Sequence, residues 1–222
     1  MIDFSVARRM MVDGQVRPND VTDLRIIAAM LEVPRERFLP PAKAALAYLE
    51  LDIPVLEGAD GRSLRRMLKP MLLAKLMQAA AIRDTDIVFD VGCATGYSSA
   101  ILARLARSVV ALEEDPALAR HAEETLAALG MTNVSAVAGP LSAGWPARAP
   151  YDVIILEGAT EVEPRVLFAQ LREGGRLVCV RGGTAGKAVV YRRVNDDSSG
   201  WPVFDATAAV LPGFTATPAF VF

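Results

Sequence analysis

Apolar positions along this chain change rhythm near residue 84. Upstream, residues 1–60 read as helical and loop material. In the segment 20–38, Leu24, Ile27 and Leu31 fall at helical spacing and Pro34 stops the helix. Pro40–Pro41 punctuates the chain and Gly58–Gly61 reads as a turn. Residues 64–80 look helical from about Pro70 onward, where proline suits a first helical turn. Downstream, strands and helices alternate. Ile87–Val91, Val109–Glu113, Val134–Ala138, Asp152–Leu156 and Arg176–Val180 are short apolar strands. Helices are expected over Ser98–Ala106, from the Asp115–Pro116 cap to Gly130, and over about 164–172 ending at Gly174–Gly175. The second of these carries Leu118, Ala122, Leu126 and Leu129 on one face. Lys187–Arg193 alternates like a strand with one solvated face, and a final strand is expected within residues 207–222.

This alternation implies an α/β fold with a mostly parallel sheet covered by helices on both faces. The expected organisation is an N-terminal helical extension over residues 1–80, packed as a cover on a core of residues 81–222. In such sheets ligands sit beyond the C-terminal ends of the strands. Asp90–Tyr97, Glu113–Glu114, Gly139–Leu141 and Glu157–Thr160 all follow strands and should line one edge.

Composition narrows the function. The chain has 222 residues, 52% hydrophobic and 23% charged, enough to bury a core without staples. A net charge of −2 gives no global basic field for a nucleic acid or an anionic membrane. Cys93 and Cys179 make no disulfide framework, so a reducing cytoplasm is the expected location. The first residues lack the apolar core of a signal peptide, and no apolar run is long enough to span a membrane.

The stretch Val88–Ala100, VFDVGCATGYSSA, is where a nucleotide would be received. A phosphate loop is excluded, since Tyr97 rather than a lysine follows Gly96. A dinucleotide loop wants glycine where Ala94 and Tyr97 stand, which disfavours a nicotinamide cofactor and an oxidoreductase. S-adenosylmethionine has no pyrophosphate, and suits an acid at a strand end (Asp90) followed by Gly92 and Gly96. Glu113, about 20 residues on, then offers a carboxylate to the ribose hydroxyls. The alternative is that Gly92 and Gly96 only form a tight turn. Glu114 is the weaker ligand of the pair, and Asp115 reads as a helix cap. Cys93 reads as a small packed residue and His121, the single histidine, as a surface residue. There is no hydrolase triad and no zinc-ligand spacing, and no metal is expected. The stretch after the fourth strand, Leu156–Ala159, lacks the phrase of base-amine methylases and a cysteine nucleophile.

These phrases together resemble the protein-L-isoaspartate O-methyltransferase family. Val33–Pro40 (VPRERFLP) is similar to the close of that family's opening helices. VFDVGCATGYSSAILARLA resembles its cofactor loop, VVALEED its ribose turn, GWPARAPYDVIILEGA its approach to strand four, and LREGGRLVCVRGG its strand five. The resemblance implies a seven-stranded Rossmann-like fold and methyl transfer from S-adenosylmethionine to a carboxylate of damaged aspartyl residues in a protein or peptide. It implies a cofactor site of Asp90, Gly92, Cys93, Ala94, Thr95, Gly96, Glu113, Glu114, Gly139, Pro140, Leu141 and Glu157. Ser63, Arg65, Arg66, Met67 and Leu68 fall on the substrate side.

Two departures stand out. The family's catalytic serine position is Leu68, and Met71 takes the place of its aromatic or histidine. The acid of the phrase after strand three is replaced in Gly139–Pro140–Leu141. A carboxylate acceptor needs no strong base, so loss of the serine removes an orienting hydrogen bond. A leucine beside a buried carboxylate would nevertheless be costly. The alternative function is therefore a family member that binds the cofactor with lost or changed acceptor activity. Arg65, Arg66 and Lys69 read first as a solvated basic face before a helix, and second as anchors for an acidic acceptor.

Overall fold

The computed structural model describes residues 2–183, 185–195 and 197–217. Nine strands are formed among these: β1 (Ile53–Glu57), β2 (Ser63–Met67), β3 (Ile87–Val91), β4 (Ser108–Glu113), β5 (Val134–Ala138), β6 (Tyr151–Thr160), β7 (Leu171–Arg181), β8 (Lys187–Val194) and β9 (Asp197–Asp205). Seven of them make one sheet in the order β5-β4-β3-β6-β7-β8-β9. Pairings from β5 through β7 are parallel, whereas β7–β8 and β8–β9 are antiparallel. The chain order reverses between β3 and β6, which is the crevice where such sheets take ligands.

Strand residues alternate between two cores, as pleated backbone requires. Val88, Val153, Ile155 and Val178 face a core shared with α3 (Pro70–Ala79), α4 (Tyr97–Ala103) and α5 (Pro116–Ala128). Phe89, Val91, Ile154 and Leu156 face the other, where Phe89 stacks on Tyr151 with centroids 4.5 Å apart. That second face is covered by short helical turns, by α6 (Arg165–Phe168) and by the segment carrying Leu211 and Phe214. The N-terminal α1 (Phe4–Met11) and α2 (Leu24–Glu32) pack onto the first core through Met11, Ile26, Ile27 and Met30. Among the described residues no helix is long and apolar enough to cross a membrane.

Several expected elements differ. Residues 1–60 are not all helix and loop, because β1 pairs with β2 in a separate two-stranded hairpin around the Gly58–Gly61 turn. Leu24 is 72% exposed, so the buried face of α2 is set by Ile26, Ile27, Ala29 and Met30 instead. The helix expected over 164–172 lasts only from Arg165 to Phe168. The Gln170 carbonyl accepts from Tyr151 N–H at 2.9 Å, so sheet pairing captures the backbone and β7 begins at Leu171. In β8, residues Ala188 to Tyr191 are all buried, because β7 and β9 flank the strand and both cores reach it. The last strand is β9, not a segment of 207–222. It is an edge strand, exposed along most of its length and holding Pro202, so it lacks alternation. Residues 207–217 instead touch the sheet through one bridge, Ala159 to Val210; the remaining five residues of that expected strand lie outside the described residues.

Candidate active site

The loop after β3 is built by backbone needs. Gly92 (φ +80°) and Gly96 (φ +93°) adopt the left-handed region where glycine is favoured. They turn the chain so that Gly92 N–H and Cys93 N–H donate to the Leu112 carbonyl, at 2.8 and 3.1 Å, and α4 starts at once. A Cβ at Gly96 would meet that of Ala122 on α5 at 3.0 Å. Ala94 shares the left-handed backbone (φ +51°), and its N–H donates to Glu113 Oε2 at 2.7 Å.

Three buried carboxylates gather around this loop. Asp90 lies near the end of β3, Glu113 ends β4 and Glu157 lies on β6. Asp90 Oδ2 accepts from the hydroxyls of Ser98 and Ser99 at 2.7 and 2.6 Å. Among the described residues its Oδ1 has no partner, and neither do Glu157 Oε1 and Thr95 Oγ1. Burial pushes the Asp90 carboxyl up to about 6, against the two serine hydrogen bonds, and the neighbouring Glu113 charge adds to the rise. Burial, with Asp90 close by, also holds the Glu157 carboxyl well above the usual range. Buried acceptors without donors are rare and call for a partner. A cationic group that also carries hydroxyls would supply one, so the donor set suits S-adenosylmethionine in charge and in hydrogen bonding.

Space does not suit it in this conformation. Arg65, on β2, reaches into the loop. Its Nε donates to Glu113 Oε1 at 3.0 Å, and its Nη2 to Glu113 Oε2 at 2.9 Å and to the Gly92 carbonyl at 2.6 Å. The guanidinium thus takes the carboxylate expected to hold a ribose. Arg65 is buried, so the expectation of a solvated basic face fails for it; Arg66 is half-buried. The reason is the hairpin, which sequence periodicity did not disclose. From the other side Leu211 closes on Gly92 and Gly158, its side chain 3.1 and 2.7 Å from where their Cβ atoms would lie. Between Arg66, Met67, Leu68, Cys93, Ser98 and Glu157 a cavity of about 10 Å³ remains, room for roughly one water.

The structure therefore brings Asp90, Gly92, Cys93, Ala94, Gly96, Glu113, Glu157, Arg65, Arg66, Met67 and Leu68 to one place. Thr95 is buried in the same loop. Leu141 lies behind Gly92. Other expected residues stand apart. The side chains of Glu114 and Pro140 are exposed, although Glu114 N–H donates to Glu113 Oε1 at 2.9 Å, and Gly139 packs toward Trp145 and Leu112. Ser63 stays on the hairpin, where its hydroxyl contacts the Arg65 carbonyl at 3.3 Å. Asp115 caps α5 through Ala117 and Leu118 N–H, His121 is exposed and Cys93 is buried, as expected.

Sequence reasoning missed Ser98 and Ser99, although the paired serines directly after the glycine loop were a usable signal. It missed Arg35 as well. That buried side chain donates to the carbonyls of Ala47 and Leu68, both at 2.7 Å, and its guanidinium lies 4.6 Å over the Tyr97 ring. The VPRERF phrase thus holds the Leu68 backbone. Leu211 offered no signal, being far along the chain in a segment without periodicity.

Comparison with known proteins gives the family and the fold. Residues 8–206 match the family described as protein-L-isoaspartate(D-aspartate) O-methyltransferase. Protein-L-isoaspartate O-methyltransferase 2 of Anaeromyxobacter sp. (strain Fw109-5) is 39% identical over 175 residues, covering 79% of this chain and 70% of that one. A solved protein-L-isoaspartate O-methyltransferase superposes with a TM-score of 0.80 at 25% identity, over 93% of this chain and 66% of its own. A Plasmodium falciparum protein solved in complex with S-adenosyl-L-homocysteine, 15% identical, shares the fold with a TM-score of 0.76 over 95% of this chain and 99% of its own.

Proposed function

The chain belongs to the protein-L-isoaspartate(D-aspartate) O-methyltransferase family, and on that premise we propose that it transfers a methyl group from S-adenosylmethionine to a carboxylate of a protein or peptide. The observation that carries this is the trio Asp90, Glu113 and Glu157, buried around the Gly92–Gly96 loop, with Asp90 Oδ1 and Glu157 Oε1 lacking donors among the described residues. The bound cofactor supplies a methyl group activated by a sulfonium. Asp90 and Glu157 would hold its cationic part and Glu113 its ribose, while Gly92, Cys93, Ala94, Thr95 and Gly96 give the close backbone approach. The family name of the chain's relatives supports isoaspartyl residues as the acceptor.

On the acceptor side, catalysis rests on placing an already nucleophilic carboxylate. The backbone of residues 68–70 is anchored beside that position. Arg35 holds the Leu68 carbonyl, and Asp52 Oδ1 accepts from Lys69 N–H at 2.8 Å. Next to it opens a groove of about 680 Å³ whose lining includes Lys69, Lys75, Lys187 and Phe204. Lys187 is already paired with Asp205 at 2.6 Å, which leaves the Lys69 and Lys75 amines to suit an acidic acceptor segment. We read residues 1–80 as the cover over this site and residues 81–222 as the catalytic unit. Two buried free thiols, Cys93 and Cys179, support a reducing cytoplasmic setting.

The test is transfer of labelled methyl from S-adenosylmethionine to a peptide with one isoaspartyl residue, beside its aspartyl twin. Label on the isoaspartyl peptide alone is expected. Cofactor binding without label on either peptide would refute the repair assignment.

A further inference from the structure

Glu113 already has a cation. Arg65 grips it through two nitrogens and bonds Gly92 as well, all inside the loop that a cofactor must enter. Side-chain exposures of 6% for Arg65 and 0% for Glu113 place this ion pair out of solvent. Arg65 hangs on a hairpin outside the main sheet, whose outer strand is tied to the rest of the chain by Lys43, which donates to the Pro54 carbonyl at 2.9 Å and pairs with Glu57 at 2.6 Å. Among the described residues the β1–β2 hairpin pairs only with itself and joins no strand of the main sheet. A lone two-stranded hairpin has little stability of its own. Its register is irregular at Pro54–Leu56 and Leu56–Glu57, and its tip at Gly58–Arg62 is exposed or half-buried. Only its base, Ile53 and Met67, and Arg65 itself are buried.

We propose that Arg65 is an internal latch, a guanidinium occupying the ribose carboxylate Glu113, which the β1–β2 hairpin must withdraw before the cofactor enters. This rests on the cofactor reading above. Withdrawal carries Arg65 to solvent while incoming hydroxyls replace it at Glu113. The Ala94, Glu114 and Asp115 N–H groups stay on the carboxylate meanwhile, at 2.7, 2.9 and 3.4 Å. Glu113 is therefore never left bare. Apparent affinity is the intrinsic affinity multiplied by the fraction of molecules that are unlatched, so a mostly latched population binds weakly. Removing the latch raises affinity without adding any contact to the ligand.

The experiment is calorimetric titration of S-adenosyl-L-homocysteine into the full chain and into Arg65→Gln, Arg65→Lys and Arg62→Gln. Arg62 sits on the exposed tip and serves as control. Arg65→Gln is expected to bind at least about tenfold tighter than the parent. Arg65→Lys, which lacks the fork, should fall between them and keeps the proposal falsifiable if the glutamine variant misfolds. Arg62→Gln should match the parent. Hydrogen exchange in the parent should show the amides of residues 63–67 less protected once ligand is bound. Equal affinity in parent and Arg65→Gln overturns the latch and leaves the cofactor reading standing. Weaker binding by Arg65→Gln also overturns it, because Arg65 would then be a ligand contact. No binding by any of the four refutes the cofactor reading, and the latch with it.

Discussion

Arg35 Nη2 donates to the main-chain oxygen of Leu68 at 2.7 Å, joining the turn after α2 to the residue nearest the expected acceptor. Nε of the same side chain holds the Ala47 carbonyl. Replacing Arg35 by methionine leaves both carbonyls without this donor. Hydrogen bonds to a charged group are worth about 1.5–3 kcal/mol each, so losing the two should cost roughly 3–6 kcal/mol. Arg35→Lys should recover only part of it, since an ammonium cannot span both acceptors as a fork does. Chemical denaturation of the three proteins measures the difference. A methionine variant as stable as the parent would mean that water replaces the guanidinium.

Gly96 offers a sharper test of the loop. Its backbone is left-handed and a Cβ would press on Ala122. Gly96→Ala should lose about 1–3 kcal/mol from strain, and more if α4 and α5 must separate. Thermal unfolding reads this directly. Gly61→Ala provides a comparison. It is left-handed too, but nothing lies within 4 Å of its added Cβ, so its loss should be the smaller of the two.

The parallel part of the sheet was legible because its strands are apolar on both faces and bounded by caps and glycines, as in Ile87–Val91 and in Asp115–Pro116. Asp90, Gly92, Gly96 and Glu113 were legible for a related reason. Each sits at a fixed offset from a strand end, and the topology brings strand ends together. The hairpin was hidden because Leu64, Arg65 and Arg66 carry no alternation; Arg65 is buried by its partner Glu113, not by hydrophobicity. Leu211 was hidden for the opposite reason. It is an ordinary leucine, and its importance comes from the bare sides of Gly92 and Gly158. Strand β9 went unread because an exposed edge has no apolar face to show.

Asp90 sets a pH dependence whose sign follows from its environment. Its carboxyl, pushed up from the ordinary 3.8 to about 6 by burial, keeps its proton in the folded chain where the unfolded chain has lost it. Its contribution to stability therefore falls as pH rises from about 3.8 to about 6, and stays low above that. Glu157, shifted in the same direction, extends the trend. Asp90→Asn should flatten that slope and leave the protein more stable than the parent at pH 7. Binding of a cationic ligand should behave oppositely in the parent, strengthening as pH rises through about 6, since it needs the carboxylate ionised. Denaturant melts and S-adenosylmethionine titrations at pH 5, 6, 7 and 8 would show both trends. Affinity independent of pH over that range would detach Asp90 from the ligand.

Leu68 decides whether the acceptor side can be restored. It is buried, so Leu68→Ser removes packed methyl groups and should cost about 2–5 kcal/mol, as comparable leucine truncations do. Its backbone position should survive, because Arg35 and Asp52 hold the carbonyl of Leu68 and the N–H of Lys69, not the side chain. The new hydroxyl would then stand where the parent offers a carboxylate no donor. A hydrogen bond to a charged group worth about 1.5–3 kcal/mol corresponds to roughly a tenfold or greater gain in kcat/KM. Labelled methyl transfer to an isoaspartyl peptide, run below the lowered melting temperature, measures it. A less stable variant with faster turnover is the expected pairing. Loss of stability with unchanged turnover would mean that the acceptor carboxylate is oriented by other groups, with the Lys69 and Lys75 amines as the next to replace.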